Sequence, residues 1–290
     1  MNVLTPDESA ETLQPRKILI AIDQLGDSSE SLIAYSLLVT QNILCDYTLL
    51  YCLKTFDKAE IISKKIDNIL ENIKRKHIFF TDKKCNVNIS SENLLEAILQ
   101  FEQEIGINCL MINSSNLLDT HTMDNLAQSI LFRVSSNVLV IPPNVALSFP
   151  NNIGVLIEEH EVSNLEKLTT LNVFLSAYKD IFINFVLFTD SEEILEQERK
   201  VLGEYNNFFD SNFKFTFIVQ DLKDYRIFFK NIEENHSNAA VIVWNENSPF
   251  FKYYLNDTSK QFPCSPKFPV YYPKLSESIH DIDLAITPFI

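Results

Sequence analysis

Short apolar runs rich in β-branched and aromatic residues recur along the chain, and an amphipathic segment of helical length follows most of them. The first run, from Lys17 to Asp23, is continuously apolar between its ends, as expected of a strand buried on both faces of a parallel sheet. Residues 58–76 instead place isoleucine and leucine at helical spacing on one face. Such alternation predicts parallel sheet with helices on both faces and right-handed crossovers.

The pattern runs through the chain twice. The predicted strands of the first half are 17–23, 47–53, 86–90, 108–113 and 137–141, and its helices are 28–44, 58–76, 93–104 and 123–135. The second half gives strands 153–158, 181–189, 213–219, 239–244 and 269–272, with helices 162–178, 191–209, 225–235 and 250–261. We therefore expect two α/β domains, 16–146 and 150–274, between a flexible tail at 1–15 and a C-terminal tail at 275–290.

Composition narrows the possible functions. The formal net charge is −15, and both halves are acidic, so a nucleic-acid partner is not expected. Only 4 of 290 residues are glycine, which leaves little material for a glycine-rich phosphate loop. The sequence contains no P-loop, no G-x-S-x-G and no G-x-G-x-x-G. We expect no catalytic residues and no cofactor.

Cysteine and histidine point to no metal site. The five cysteines form no CxxC pair and the five histidines no HExxH motif, so we expect reduced thiols and no bound metal. Residues 1–14 lack the pattern of a signal peptide. The apolar run at 181–188 is too short to span a bilayer, which needs about 20 residues. The expected location is the cytoplasm, with no membrane contact.

Several segments together resemble the universal stress protein family. They are Lys17 to Asp23, Asp46 to Cys52, and Leu126 to Val134 followed by Asn137 to Pro142. The resemblance covers residues 16–143, whereas residues 150–274 follow it only in the order of their elements. It implies two tandem open five-stranded parallel sheets of order 3-2-1-4-5 with helices on both faces. In nucleotide-binding members, ATP lies outside the carboxyl ends of strands 1 and 4, where the strand order reverses.

The family's nucleotide site is only partly matched. Asp23 matches its acidic residue at the end of strand 1. The family's glycine motif, G-x2-G-x9-G followed by Ser or Thr, lets backbone amides approach phosphates. Here Asn113 and Asn116 stand at the first two glycine positions, Asp124 aligns near the third, and the loop is shorter. The resemblance thus marks a vestigial nucleotide site, which comprises Asp23, Asn113, Ser114, Ser115 and Asn116.

Each feature of this site also has a purely structural interpretation. Asp23 either holds a ligand or satisfies loop amides, and residues 113–116 either bind a small polar ligand or form a turn. The second half has Glu159 in place of Asp23 and no glycine in residues 244–249. We predict a non-catalytic binding or regulatory protein that has lost ATP binding. The alternatives are an ATP- or AMP-binding universal stress protein with weak hydrolase activity and, more remotely, a catalytic domain of the adenine-nucleotide α-hydrolase-like group.

The resemblance also predicts an assembly. Family domains commonly pair through their final strands, and a tandem chain can satisfy that pairing internally. We expect residues 138–141 and 269–272 to pair, so that the halves form a pseudo-dimer. A protein partner or self-association through these strands is the predicted interaction.

Overall fold

A computed structural model describes most of the first half of the chain and the strands of the second. The described residues are 14–77, 80, 82–114, 130–158, 182–189, 212–219, 226–234, 236–242 and 268–273. The predicted helices at 162–178, 191–209 and 250–261, and most of the helix at 123–135, lie outside them. Residues 130–133 are helical.

Ten strands and four long helices are described. The strands are β1 (Arg16–Ile22), β2 (Cys45–Cys52), β3 (Cys85–Ser90), β4 (Cys109–Asn113), β5 (Asn137–Ile141), β6 (Asn152–Glu158), β7 (Phe182–Thr189), β8 (Asn212–Val219), β9 (Ala239–Ile242) and β10 (Val270–Tyr272). The helices are α1 (Asp27–Val39), α2 (Ala59–Lys76), α3 (Leu94–Ile105) and α4 (Arg226–Glu234). Pro142 and Pro143 follow β5 directly and end it, because proline has no N–H for the ladder. The predicted first helix was too long, since α1 ends at Val39 rather than at residue 44.

The strands form one continuous sheet, whereas two tandem five-stranded sheets were expected. Its order is β3-β2-β1-β4-β5-β10-β9-β6-β7-β8. Each half thus has the order 3-2-1-4-5, and all pairings within a half are parallel. The prediction of two sheets was wrong because an open sheet leaves unpaired N–H and C=O groups on its edge strand. Here the final strand of each half pairs with the final strand of the other, which supplies the missing hydrogen-bond partners.

The junction is an antiparallel pairing of the two final strands. Val270 pairs with Val140, Tyr271 with Leu139 and Tyr272 with Val138. The pairing predicted between the final strands is therefore confirmed. Its three residue pairs bury side chains on both sheet faces, since Val270 is fully buried on one face and Tyr271, on the other, is 6% exposed.

Two hydrophobic cores cover the two faces of the sheet, and each crosses the junction. One packs α1 and α2 on β1 through Ile18 and Ile20, and it continues to Val155 in β6. The other packs α3 and α4 on the opposite face, where Leu19 lies in the same cluster as Phe228. Because successive residues of a strand point to opposite faces, β1 supplies both cores, as its continuous apolar run predicts.

An asparagine aligns the central strands at the amino edge of each half. Asn108, just before β4, accepts a hydrogen bond from the Lys17 N–H through Oδ1 at 2.8 Å and donates its own N–H to the Lys17 carbonyl at 2.9 Å. Asn238, just before β9, accepts from the Asn152 N–H through Oδ1 at 3.2 Å and donates its N–H to the Asn152 carbonyl at 2.8 Å. In both halves these bonds pin the first and fourth strands. In the first half the carboxyl ends of these strands form the crevice described next.

Candidate functional site

The carboxyl ends of β1 and β4 lie side by side in the first half. Ala21 pairs with Ile112, so Asp23 and Asn113, which follow or end these strands, emerge at one edge of the sheet. From β1 the chain continues toward β2 on one side, and β4 lies on the other. This is the strand-order reversal at which ligands bind in open α/β sheets. The structure brings Asp23, Asn113 and Ser114 to this crevice, as the sequence predicts.

Asn113 is buried and joins β4 to the first helix. Its side chain is 3% exposed, and Nδ2 donates a hydrogen bond to the Ser28 carbonyl in the first turn of α1 at 3.3 Å. Ser114, the next residue, is 4% exposed. A side chain rather than open space therefore lies between β4 and the start of α1 at this position.

The start of α1 differs in detail from the sequence expectation. The helix was expected from residue 28, but it already begins at Asp27. Ser29 bonds backward, since Oγ accepts from the Gly26 N–H at 3.0 Å and donates to the Gly26 carbonyl at 2.7 Å. Asp27 and Glu30 lie in this first turn, where the partial positive charge of the helix N-terminus stabilises carboxylates. The positive end of α1 is thus offset by the protein's own acids.

Negative charge dominates the described side of the crevice next to β2. Burial and, to a smaller extent, the charge of the Asp23 carboxylate raise the pKa of the Cys52 thiol to about 11. Burial, the hydrogen bond to Asp57 and the charges of Asp57 and Asp23 raise the pKa of the Tyr51 hydroxyl to about 12. Both groups are neutral at pH 7 and offer no anionic nucleophile.

A short turn after β2 displays an aromatic ring beside this edge. Asp57 Oδ2 accepts from the Tyr51 hydroxyl at 3.0 Å and from the Lys54 N–H at 2.8 Å, and the Asp57 N–H donates to the Lys54 carbonyl at 2.9 Å. Phe56, inside this turn, is 96% exposed. This turn was not predicted from the sequence, although aspartate is a residue type that often closes turns through its side chain.

Several predicted site residues lie outside the described part of the chain. These are Ser115 and Asn116 in the first half, with Asp124 further along the same loop. The corresponding residues of the second half, Glu159 and 244–249, also lie outside it.

No group of three metal-ligating side chains is found among the described residues. Cys45, Cys52, Cys85 and Cys109 are free thiols, and burial raises the pKa of Cys85 to about 11 and of Cys109 to about 12. Within the same part of the chain, no helix is both long and apolar enough to cross a bilayer.

Comparison with known proteins reveals similarity at the level of fold. No protein-family model matches the chain, and no curated protein matches it in sequence. A universal stress protein from Archaeoglobus fulgidus DSM 4304 superimposes with a TM-score of 0.60 at 10% identity, over 90% of this chain and 99% of that one. A putative universal stress protein from Pseudomonas aeruginosa UCBPP-PA14 gives 0.58 at 14% identity, over 93% and 98%.

A third solved structure has the same fold in another setting. The cytoplasmic domain of a prokaryotic cation chloride cotransporter superimposes with a TM-score of 0.54 at 14% identity, over 93% of this chain and 100% of that domain. At such identities the similarity shows the fold alone. The chain has the fold of the universal stress proteins, over nearly its whole length.

Proposed function

We propose that this chain is a non-catalytic, universal stress protein-like binding or regulatory protein that has lost tight ATP binding. The observation that carries the proposal is Asn113. It stands at the first glycine position of the family's motif, is almost fully buried, and donates its side-chain amide to the Ser28 carbonyl. The motif works because glycine leaves room for phosphate against the backbone, and here that room is occupied.

Charge supports the same conclusion. Asp23 and Asp27 bring carboxylates to the crevice, while Glu30 is paired with the Lys76 ammonium. Two like charges about 4 Å apart repel by about 4 kcal/mol at an effective dielectric constant of 20. The whole chain carries −15, which also slows the approach of a polyanion. A triphosphate therefore meets opposition at contact and at a distance.

An uncharged nucleoside is compatible with the same crevice. Asp23 is half-buried, and a carboxylate can accept hydrogen bonds from ribose hydroxyls. We therefore include weak binding of a nucleoside or another small polar ligand in the proposal. The alternative, an ATP- or AMP-binding protein with weak hydrolase activity, requires the phosphates to displace the Asn113 amide.

The domain assignment and location belong to this proposal as well. Two copies of one domain, 16–146 and 150–274, are supported by the identical strand order of the halves and by the matching asparagines at 108 and 238. We also propose a cytoplasmic location and a protein partner. The junction uses both final strands, so an external partner would have to bind elsewhere.

Isothermal titration of the full chain with Mg-ATP and, separately, with adenosine tests the proposal. We expect no saturable ATP site tighter than about 10 μM. Adenosine binding, where detected, should weaken in Asp23→Asn. ATP carried through purification, or a site tighter than that limit, would show that the nucleotide site is intact.

A matched variant separates the single side chain from the whole loop. Asn113→Gly should not restore ATP binding, because Asn116 and Asp124 remain and the loop stays short. Micromolar ATP binding by Asn113→Gly would mean that Asn113 alone prevents ATP binding, and it would contradict the role proposed for the rest of the loop.

A further inference from the structure

A cavity of about 380 Å³ lies where the two halves meet. Val145 and Ala146, which follow β5, form one side, and Ser237, Phe268 and Pro269, which precede β9 and β10, form another. Because β5 and β10 are antiparallel, the carboxyl edge of the first half meets the amino edge of the second here. The volume falls in the range of small-molecule sites, about 300–1,000 Å³.

The wall of this junction cavity is mostly apolar and firmly held. Tyr35 is 2% exposed and Phe268 is 6% exposed. Asn238 anchors the segment that connects the two halves (residues 142–151, the connecting segment). Its Nδ2 donates to the Phe149 carbonyl at 3.2 Å and to Asn151 Oδ1 at 2.9 Å. Its Oδ1 also accepts from the Asn151 N–H at 3.1 Å. A cavity with such walls suits a ligand with a compact apolar body.

The polar side chains of the second half that line the cavity differ in what they still offer a ligand. Asn238 is engaged by the connecting segment through both ends of its amide. The Ser237 hydroxyl donates to Asn152 Oδ1 at 3.1 Å, so it retains only acceptor capacity. The exposed Glu233 carboxylate is acceptor-only and has no ion pair among the described residues. Its neighbour Glu234, by contrast, pairs with Lys230 at 3.6 Å.

The end of α4 adds to this negative potential. Glu233 and Glu234 end the helix, and its last turn carries no basic side chain. A helix C-terminus bears a partial negative charge and favours cations, so Glu233 adds a carboxylate where a positive charge is preferred. A bound cation would satisfy both.

We propose that the junction cavity binds a small amphipathic cation, with its apolar body against Tyr35, Val145 and Phe268 and its ammonium group at Glu233. This site is separate from the crevice at Asp23 and Asn113, so it stands whether or not ATP binding is lost. It would make the two halves a single binding unit, because neither half forms the cavity alone.

The test uses a matched pair of probes, 2-phenylethylammonium and its neutral isostere 2-phenylethanol. Each is titrated into the full chain while amide shifts are followed by NMR. We expect a dissociation constant of about 1 mM for the ammonium, as ligands of this size allow. The largest shifts should fall at Ala146 and Ser237, and those at Asp23 and Asn113 should be small. The alcohol should bind about threefold to fivefold more weakly, which is the scale of an exposed charge pair.

Two variants with the same change in charge locate the cation. Glu233→Gln should abolish the preference for the ammonium, whereas Glu234→Gln, one residue away and paired with Lys230, should retain it. Ala146 is exposed in the connecting segment, so Ala146→Phe should fold normally and weaken both probes by about tenfold or more through filling the cavity.

The proposal is overturned by any of several results. These are shifts centred on Asp23 and Asn113, equal affinity for the two probes, a preference that survives Glu233→Gln, or no saturation of either probe by about 10 mM. Undiminished binding by a folded Ala146→Phe would also overturn it. If that variant does not fold, the Glu233→Gln and Glu234→Gln pair decides the outcome alone.

Discussion

The two halves share one backbone arrangement before their fourth strands, but the side chains around it differ. Ile18 pairs with Cys109 in the first half and Ile153 pairs with Ala239 in the second, which makes Asn108 the counterpart of Asn238. The helix before each asparagine ends in a left-handed residue. After α3 this is Gly106, at φ 70°, and after α4 it is His236, at φ 55°.

The packing between strand and helix differs more deeply. By the same register, Leu19 in β1 corresponds to Gly154 in β6, and Glu102 in α3 corresponds to Ile232 in α4. A Cβ at Gly154 would lie 2.6 Å from Cδ1 and Cγ1 of Ile232. In the first half the strand supplies the bulk, and Glu102 instead accepts from the N–H of Ser136 at 2.8 Å.

This comparison separates two kinds of constraint. The hydrogen bonds that pin the first and fourth strands recur in both halves, because they fix the register in which these strands pair. The bulky side chain between strand and helix can come from either element, because the core requires only that the space be filled.

The close contact between Gly154 and Ile232 predicts the largest effect on stability. Ile232→Ala should lower the free energy of unfolding by about 2–4 kcal/mol, because it leaves a cavity in the core. Gly154→Ala alone should cost about 1–3 kcal/mol through overpacking. In the Ile232→Ala background the same glycine substitution should cost much less, since the added methyl then meets empty space. Urea unfolding of the two single variants and the double variant measures this coupling, and strictly additive effects would refute the proposed contact.

The two asparagines should differ by a smaller amount. Asn238→Ala should cost about 2 kcal/mol and Asn108→Ala about 1 kcal/mol, because Asn238 also holds residues 149 and 151. The aspartate variants sharpen the contrast. Asn108→Asp keeps the acceptor for the Lys17 N–H and should be nearly neutral, whereas Asn238→Asp loses both Nδ2 bonds. Equal losses at the two positions in chemical denaturation would contradict this account.

The smallest expected effect is at the helix ends. The Ser237 N–H donates to the Ile232 carbonyl at 3.0 Å and the His236 N–H to the Glu233 carbonyl at 3.1 Å, the pattern of a helix end that favours glycine. His236→Gly should therefore raise stability by about 0.5 kcal/mol. In the first half, Gly106→Ala should lower it by about 1 kcal/mol. Thermal unfolding checks both, and His236→Ala, which keeps the strained φ, should show no gain.

Much of the candidate crevice could be predicted from residues alone. Asp23 follows a continuously apolar strand and Asn113 ends another, so their meeting at one edge follows from the parallel order. The bond from Asn113 to Ser28 could not be predicted, because it depends on how closely α1 approaches β4. The junction cavity was missed for the same reason, since its lining residues come from both halves of the chain. The turn that displays Phe56 is local, but it belongs to no motif that would have marked it.

The sequence by itself determined the kind and order of the elements, because the spacing of apolar residues states which faces must be buried. It also determined the acidity of the chain and the presence of asparagine at position 113. The family resemblance suggested that the final strands pair, but no residue pattern showed it, and only the tertiary structure decided that the halves share one ten-stranded sheet. Val138 and Val270 are buried in either arrangement, so no local pattern distinguishes a closed edge from an open one. The unpaired N–H and C=O groups of two open sheet edges favour the shared sheet. They find partners only when β5 and β10 meet in space.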